Sequence, residues 1–376
     1  MRILIIARGY PTPKYPLNGI FEFDQAKALA DLGHEVIFAA LDMRSLRRWR
    51  HWGAESFIQD KVHIEGLSLP GGNIPKPLLH KLRTAALSEL YARILKRYGK
   101  PDLIHSHFIE LGYATTQVLL REQIPLVHTE HYSGMNQAVI SDYYQRLGAS
   151  TYPKLSKIIV VSHALKDKLH TTFNIDPVVI PNIIDLRQFS ANIQAKSEST
   201  FNYLSVGGLT PNKNMDVLIQ AFHQAFSADR SVSLRIIGEG TQHSALETLI
   251  KQLHLANQVH LLGLKDRQAI AEIMQESHAF VLASKSETFG LAYLEAMAMG
   301  LPVLASRCGG PEDFVSAENG LLVAVDSMEE LAQGLRTLKD NITRYDRHRI
   351  AQNVKTRYSP DAIATQLSEL YRSLVE

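Results

Sequence analysis

The stretch Ser284-Lys285-Ser286-Glu287-Thr288-Phe289-Gly290-Leu291-Ala292-Tyr293-Leu294-Glu295-Ala296-Met297-Ala298-Met299-Gly300 decides how this chain is read. The apolar run before it, His278 to Ser284, has the length and composition of a buried strand. Beyond Thr288 the apolar spacing turns helical, and Gly300 with Pro302 stops the helix. Glu287 therefore belongs on a loop at the carboxyl end of a strand. Glu295, seven residues further on, belongs at least one turn into the next helix. Gly290 lets the backbone approach a ligand closely, and free amides at a helix start favour an anion. Two carboxylates around such a turn suit a ligand carrying both phosphates and hydroxyls, as a nucleotide sugar does. Taken singly they would be ordinary solvated glutamates; the order strand, loop, glycine-stopped helix is what makes them a site.

A chain of 376 residues exceeds one ordinary core and implies two domains. The single cysteine, Cys308, excludes an intramolecular disulfide framework and fits the reducing cytoplasm. No apolar run reaches the roughly 20 residues of a membrane span. The opening Met1 to Arg8 is too soon interrupted for a signal peptide and reads as a first strand. Residues 1–185 hold 22 Lys/Arg against 17 Asp/Glu, and residues 186–376 hold 18 against 21. The basic first half is the one expected to meet something anionic.

In that half a strand (2–7), a Gly/Pro loop ending at Gly19, a helix (20–32) and a strand (34–40) make a parallel unit with a right-handed crossover. Gly19 stands where an amide can face a phosphate, and no G-x-G-x-x-G marks a nicotinamide or flavin site. Residues 41–52, read as a helix, put Trp49 and Trp52 on one face and Arg44, Arg47 and Arg48 on another. Such a helix suits anionic lipid headgroups; the alternative is a surface helix whose tryptophans pack inward. A second basic helix, 76–100, carries Lys81, Arg83, Arg93, Lys96 and Arg97. Three further buried strands end at His107, at Glu130-His131 and at Ser162-His163, along the edge where open α/β sheets bind ligands. His105, His107, His128 and His131 raise the question of zinc, but a closed site would need more ligands than this spacing offers, and no metal is expected.

Residues 177–199 lose apolar periodicity and read as a linker. A second strand–helix series follows, with a glycine turn after each strand: Gly207-Gly208 with Lys213, Gly238-Glu239-Gly240, Gly263, Glu287 with Gly290, and Gly309-Gly310 ahead of a short helix, 312–315. Strict alternation implies a parallel sheet covered on both faces.

The run Glu287-x-Phe289-Gly290-Leu291-x-x-x-Glu295-Ala296 resembles the E-x7-E motif of the retaining family 4 glycosyltransferases. So do Gly207-x-Leu209-x-x-x-Lys213-Asn214, Ile237-Gly238-x-Gly240, Leu262-Gly263, Gly300-x-Pro302-Val303 and Gly309-Gly310-x-Glu312, in the family's order. In the first half Gly19 and Thr129-Glu130-His131 match more loosely. The resemblance implies an α/β GT-B fold, two facing Rossmann-like doubly wound domains with a central cleft. They are an acceptor domain at 1–185 and a nucleotide-sugar domain at 186–358, with a final helix, 359–376, packing back on the first. It also implies transfer of a sugar, with retention and without a metal or other cofactor, from a nucleoside-diphosphate sugar to a glycan or lipid-linked acceptor. Cell-envelope polysaccharide assembly, in the cytoplasm or peripherally on the inner face of the plasma membrane, is the expected setting, and nucleic acid is not an expected partner. By the same resemblance Glu295 holds the ribose hydroxyls and Glu287 a donor-sugar hydroxyl. Lys213, Gly19, Gly208, Gly238, Gly263 and the amides from Phe289 through Gly290 to Leu291 surround the diphosphate. His131 lines the reacting centre together with Glu287. One departure stands out: where the family has an arginine, this chain has Gly208, so another cation (Arg8, Lys14 or Arg307) is expected in its place. An epimerase, a phosphorylase or a non-catalytic nucleotide-sugar-binding protein are the competing readings.

Overall fold

The computed structural model describes residues 1–15, 18–45, 52–71, 74–137, 139–190 and 200–376. Contacts divide the chain into two units, Met1–Ile183 with Pro360–Glu376, and Ile184–Ser359.

The first unit runs β1 (Arg2–Ala7), α1 (Ile20–Asp31), β2 (Glu35–Arg44), β3 (Gly53–Gln59), β4 (Val62–Pro70), α2 (Lys76–Tyr98), β5 (Leu103–His107), α3 (Ile109–Leu119), β6 (Leu126–Glu130), α4 (Asp142–Thr151), β7 (Lys157–Val160), α5 (His163–Phe173) and β8 (Val178–Val179). The second runs β9 (Phe201–Val206), α6 (Met215–Phe226), β10 (Val232–Ile237), α7 (His243–Gln252), β11 (Val259–Leu261), α8 (Arg267–Glu276), β12 (Ala279–Leu282), α9 (Leu291–Ala298), β13 (Val303–Ser306), β14 (Gly320–Val323), α10 (Met328–Asp340) and α11 (Arg347–Tyr358). The last helix, α12 (Pro360–Val375), belongs to the first unit again.

The first sheet has the order β3-β4-β2-β1-β5-β6-β7-β8 and the second β11-β10-β9-β12-β13-β14. Every neighbouring pair is parallel except β3 and β4. Parallel strands are buried on both faces, which is why β1 reads as an unbroken apolar run. Its residues alternate between two layers. Ile3 and Ile5 pack with Phe23 and Leu29 of α1 and with Ile363, Leu367 and Tyr371 of α12. Leu4 and Ile6 pack with Leu87, Leu90 and Ile94 of α2 and Leu111 of α3.

Two sequence expectations are corrected. Residues 41–44 do not begin a helix: Leu41 to Arg44 finish β2, each opposite a residue of β4 from Leu67 to Pro70. Arg47, Arg48 and Trp49 lie outside the described residues, and half-buried Trp52 immediately precedes β3. The first unit also holds a β3–β4 hairpin that the sequence did not signal, whose two turn residues, Asp60 and Lys61, have φ of 49° and 64°. Both central residues with positive φ match the twist of the flanking strands, as in a type I′ turn. Finally, a 3-10 turn spans Gly310–Asp313 where a helix at 312–315 was expected; the Gly309 amide donates to Glu312 Oε1 at 3.1 Å. Among the described residues no helix is long and apolar enough to cross a membrane.

The returning α12 is tied to the sheet by a polar contact as well as by its apolar face. Tyr371 OH lies 2.6 Å from His105 Nδ1, both side chains being fully buried. Removing one partner leaves a buried polar atom unsatisfied, at a cost of about 1–3 kcal/mol. Tyr371→Phe should lower stability by that amount in chemical denaturation; an unchanged midpoint would show that this contact does not anchor the helix.

Candidate active site

The strand order of the second sheet turns between β9 and β12. From β9 the chain proceeds outward to β10 and β11, and from β12 to β13 and β14 on the other side. Loops at the carboxyl ends diverge at such a point and leave a crevice for a ligand. Lys213, at the end of the 3-10 turn Pro211–Lys213 after β9, meets Glu287, in the loop after β12, at this point. Lys213 Nζ donates to Glu287 Oε1 at 2.5 Å, and Ser284 Oγ donates to the same oxygen at 2.6 Å. Both charged side chains are largely shielded, with 24% and 12% of their surface exposed.

The backbone fixes these loops to one another. Asn212 Nδ2 donates to the Ser286 carbonyl at 2.9 Å, and the Lys285 amide donates to the Asn212 carbonyl at 2.8 Å. On the other side the Glu287 amide donates to the Cys308 carbonyl, and the Gly310 amide to the Glu287 carbonyl, each at 2.9 Å. Burial and the Glu287 carboxylate push the Cys308 thiol up to about 12, so it stays protonated. Gly290 caps α9 in the left-handed conformation with no side-chain cap, so the helix's first amides are free of a side-chain acceptor at that cap. Glu295 is the fifth residue of α9 and half-buried. Phe289 is 4% exposed, its ring packed edge-on to Phe314 and Tyr358, so its side chain is core and only its backbone borders the loop. Leu291, half-buried, opens α9.

The remaining turns crowd the same edge. The Gly238 amide donates to the Gly263 carbonyl at 3.0 Å, and a Cβ on Gly238 would stand 1.9 Å from the Gly207 carbonyl oxygen. Only glycine fits there. Gly208 is different: a Cβ would meet nothing nearer than 3.8 Å, so neither space nor φ demands a glycine. Of the three cations expected to replace the missing arginine, Arg307 stands in this unit, exposed and two residues before Gly309. Arg8 and Lys14 belong to the other unit.

In the first unit the order turns between β1 and β5. Gly19, φ 66°, begins α1, and its missing Cβ makes room for the Gly9 carbonyl. The Arg8 guanidinium lies 3.2 Å over the ring of Phe108, a residue held at φ 63°, and 3.7 Å from the buried carboxylate of Glu22. Burial raises the Glu22 pKa, with Arg8 opposing the rise. Beside them His107 Nδ1 lies 2.9 Å from His131 Nε2, the rings stacked, and Phe108 packs on His131. His105 is held by Tyr371 and Thr129, and His128 by Ser106. Among the described residues no three groups are placed to share a metal ion. The sequence reading missed Ser284, Asn212 and the Arg8–Phe108–Glu22 cluster. Only Ser284, three residues before Glu287, had a local signal.

Residues 187–357 match the family model of the glycosyl transferases group 1, and residues 23–188 that of glycosyltransferase family 4. The chain belongs to the family 4, group 1 glycosyltransferases. This glycosyltransferase is 26% identical over 372 residues to N-acetyl-alpha-D-glucosaminyl L-malate synthase of Bacillus anthracis, covering 94% of this chain and 93% of that one. It is 25% identical over 376 residues to TuaC of Bacillus subtilis, a glycosyltransferase assigned to teichuronic acid biosynthesis, covering 93% and 90%. Its two parallel-sheet units match the GT-B architecture. The Anabaena protein HepE, solved with UDP, superposes with a TM-score of 0.76 at 20% identity, over 99% of this chain and 100% of that one.

The imidazoles of this glycosyltransferase set a pH limit on its stability. Burial, then Arg8, lowers the His131 pKa to about 3, and burial holds His105 and His107 well below the usual range. In the unfolded chain they titrate near pH 6.5. Below that pH the unfolded chain therefore binds more protons, and stability falls toward the folded pKa by up to about 1.4 kcal/mol per pH unit for each histidine. The melting temperature should drop steeply as pH goes from about 7 to 5, and less steeply in His131→Asn. A flat profile would show that these rings are charged or hydrated in the fold.

Proposed function

We propose that the enzyme transfers a sugar, with retention at the anomeric carbon and without a metal ion, from a nucleoside-diphosphate sugar such as a UDP-sugar. The acceptor is a glycan or lipid-linked molecule of cell-envelope polysaccharide assembly, and the protein works peripherally at a membrane. The observation that carries this reading is the Lys213–Glu287 contact at the switch point, beside the free N-terminus of α9. A diphosphate placed there receives the compact charge of Lys213 and the α9 amides, which stabilise the charge that develops as it leaves. Glu287, released in part from Lys213, can accept from a sugar hydroxyl, and Glu295 from the ribose. UDP in the HepE structure and the pathway of TuaC support the donor and the setting.

The reaction breaks the bond between the anomeric carbon and the diphosphate oxygen, which takes the electron pair. The acceptor oxygen forms the new bond, and its proton passes to the departing phosphate. His131, neutral because its pKa is near 3, offers a hydrogen bond without adding charge. No side-chain nucleophile is assigned.

UDP should raise the melting point with a chelator present, because a ligand of the folded form stabilises it; no shift with UDP or any other nucleoside diphosphate would sink the proposal. Lys213→Ala should lower kcat/KM by about two orders of magnitude, and an unchanged rate would remove Lys213 from the site. Gly208→Arg should fold with an unchanged melting temperature and bind UDP about tenfold more tightly; weaker binding would mean that the open space beside Gly208 does not face the phosphates.

A further inference from the structure

Helices α2, α3 and α4 leave between them an open groove of about 900 Å³ on the first unit. Its lining includes Lys81 and Arg146, both exposed, and among the described residues no carboxylate. Neither cation has an ion-pair partner among the described residues. Of the other basic residues of α2, Arg93 pairs with Glu89 at 2.9 Å and Arg97 with Glu65 at 3.1 Å, Arg83 faces Glu110, and exposed Lys96 lies outside the groove lining. Thr84, Ser88 and Tyr113 bring hydroxyls to the same walls. At one end Lys76 Nζ stands 3.9 Å over the ring of Tyr143, which lines the groove and touches His80.

We infer that this groove binds a phosphorylated sugar, the anionic end of the acceptor, with its phosphate between Lys81 and Arg146 and its hydroxyls on Thr84, Ser88 and Tyr113. A phosphate monoester carries a charge of about −2 at neutral pH, which two cations match. The surrounding hydroxyls suit a polyol better than an acyl chain. The groove also reaches toward the reacting side of its unit. Tyr132, next to His131, packs 4.7 Å from Tyr144, and Tyr144 adjoins Tyr143. Groove and His131 thus share one aromatic wall. The word acceptor rests on the transferase reading above; the binding of a sugar phosphate does not.

The test is calorimetric titration of the full-length protein with glucose 1-phosphate, with UDP at saturation so that the nucleotide site is filled. Glucose 1-phosphate should bind, glucose should not, and Lys81→Glu and Arg146→Glu should each weaken binding at least about tenfold while leaving the UDP affinity unchanged. Ser88→Trp, which fills the groove without altering its charge, should abolish binding too. Absence of glucose 1-phosphate binding, or binding that all three variants retain, overturns the inference. So does binding of phosphatidylcholine vesicles containing phosphatidylglycerol with none of the sugar phosphate, since the cations would then serve a membrane surface. Failure of wild-type protein to bind UDP would count against the donor reading alone.

Discussion

A single ion pair joins the two loops at the switch point of the second unit. Lys213 and Glu287 come from loops 74 residues apart and meet where the strand order reverses. Each member of the pair is largely shielded from solvent and is compensated by the other. Lys213 brings to it a compact point charge on a flexible stem with three donors. The hydrogen bonds of Asn212, Glu287 and Gly310 tie the loops that carry this pair to their neighbours.

The first unit solves a different problem. It buries three imidazoles whose pKa values are lowered by burial, all close to the carboxyl edge of its sheet. Buried polar groups are tolerable only when paired. Tyr371 and Thr129 hold His105, and His107 and His131 hold each other. The result is polar chemistry without net charge at an edge where Arg8 already supplies a cation.

Much of this was legible in the sequence, for local reasons. Buried parallel strands are apolar runs, glycines mark the turns after them, and the spacing from Glu287 to Glu295 places one acid on the loop and the other on α9. What was not legible depends on partners distant in sequence. The Asp60-Lys61 turn lacks the usual asparagine–glycine signal of a hairpin, so β3 and β4 went unread and residues 41–44 were mistaken for a helix start. Asn212 acts through the backbone of another loop, and Tyr371 reaches His105 across 266 residues. No periodicity records such pairs.

The position of α12 has a consequence for how the molecule is made. Ile363, Leu367 and Tyr371 complete an apolar face begun by Ile3 and Ile5, yet they leave the ribosome after every residue of the second unit. The second unit is one continuous segment and can close during translation. The first must wait, with part of the face that α1 also covers still open, until residues 360–376 have been made. Chaperones and proteases would meet that partly covered surface until α12 emerges and docks.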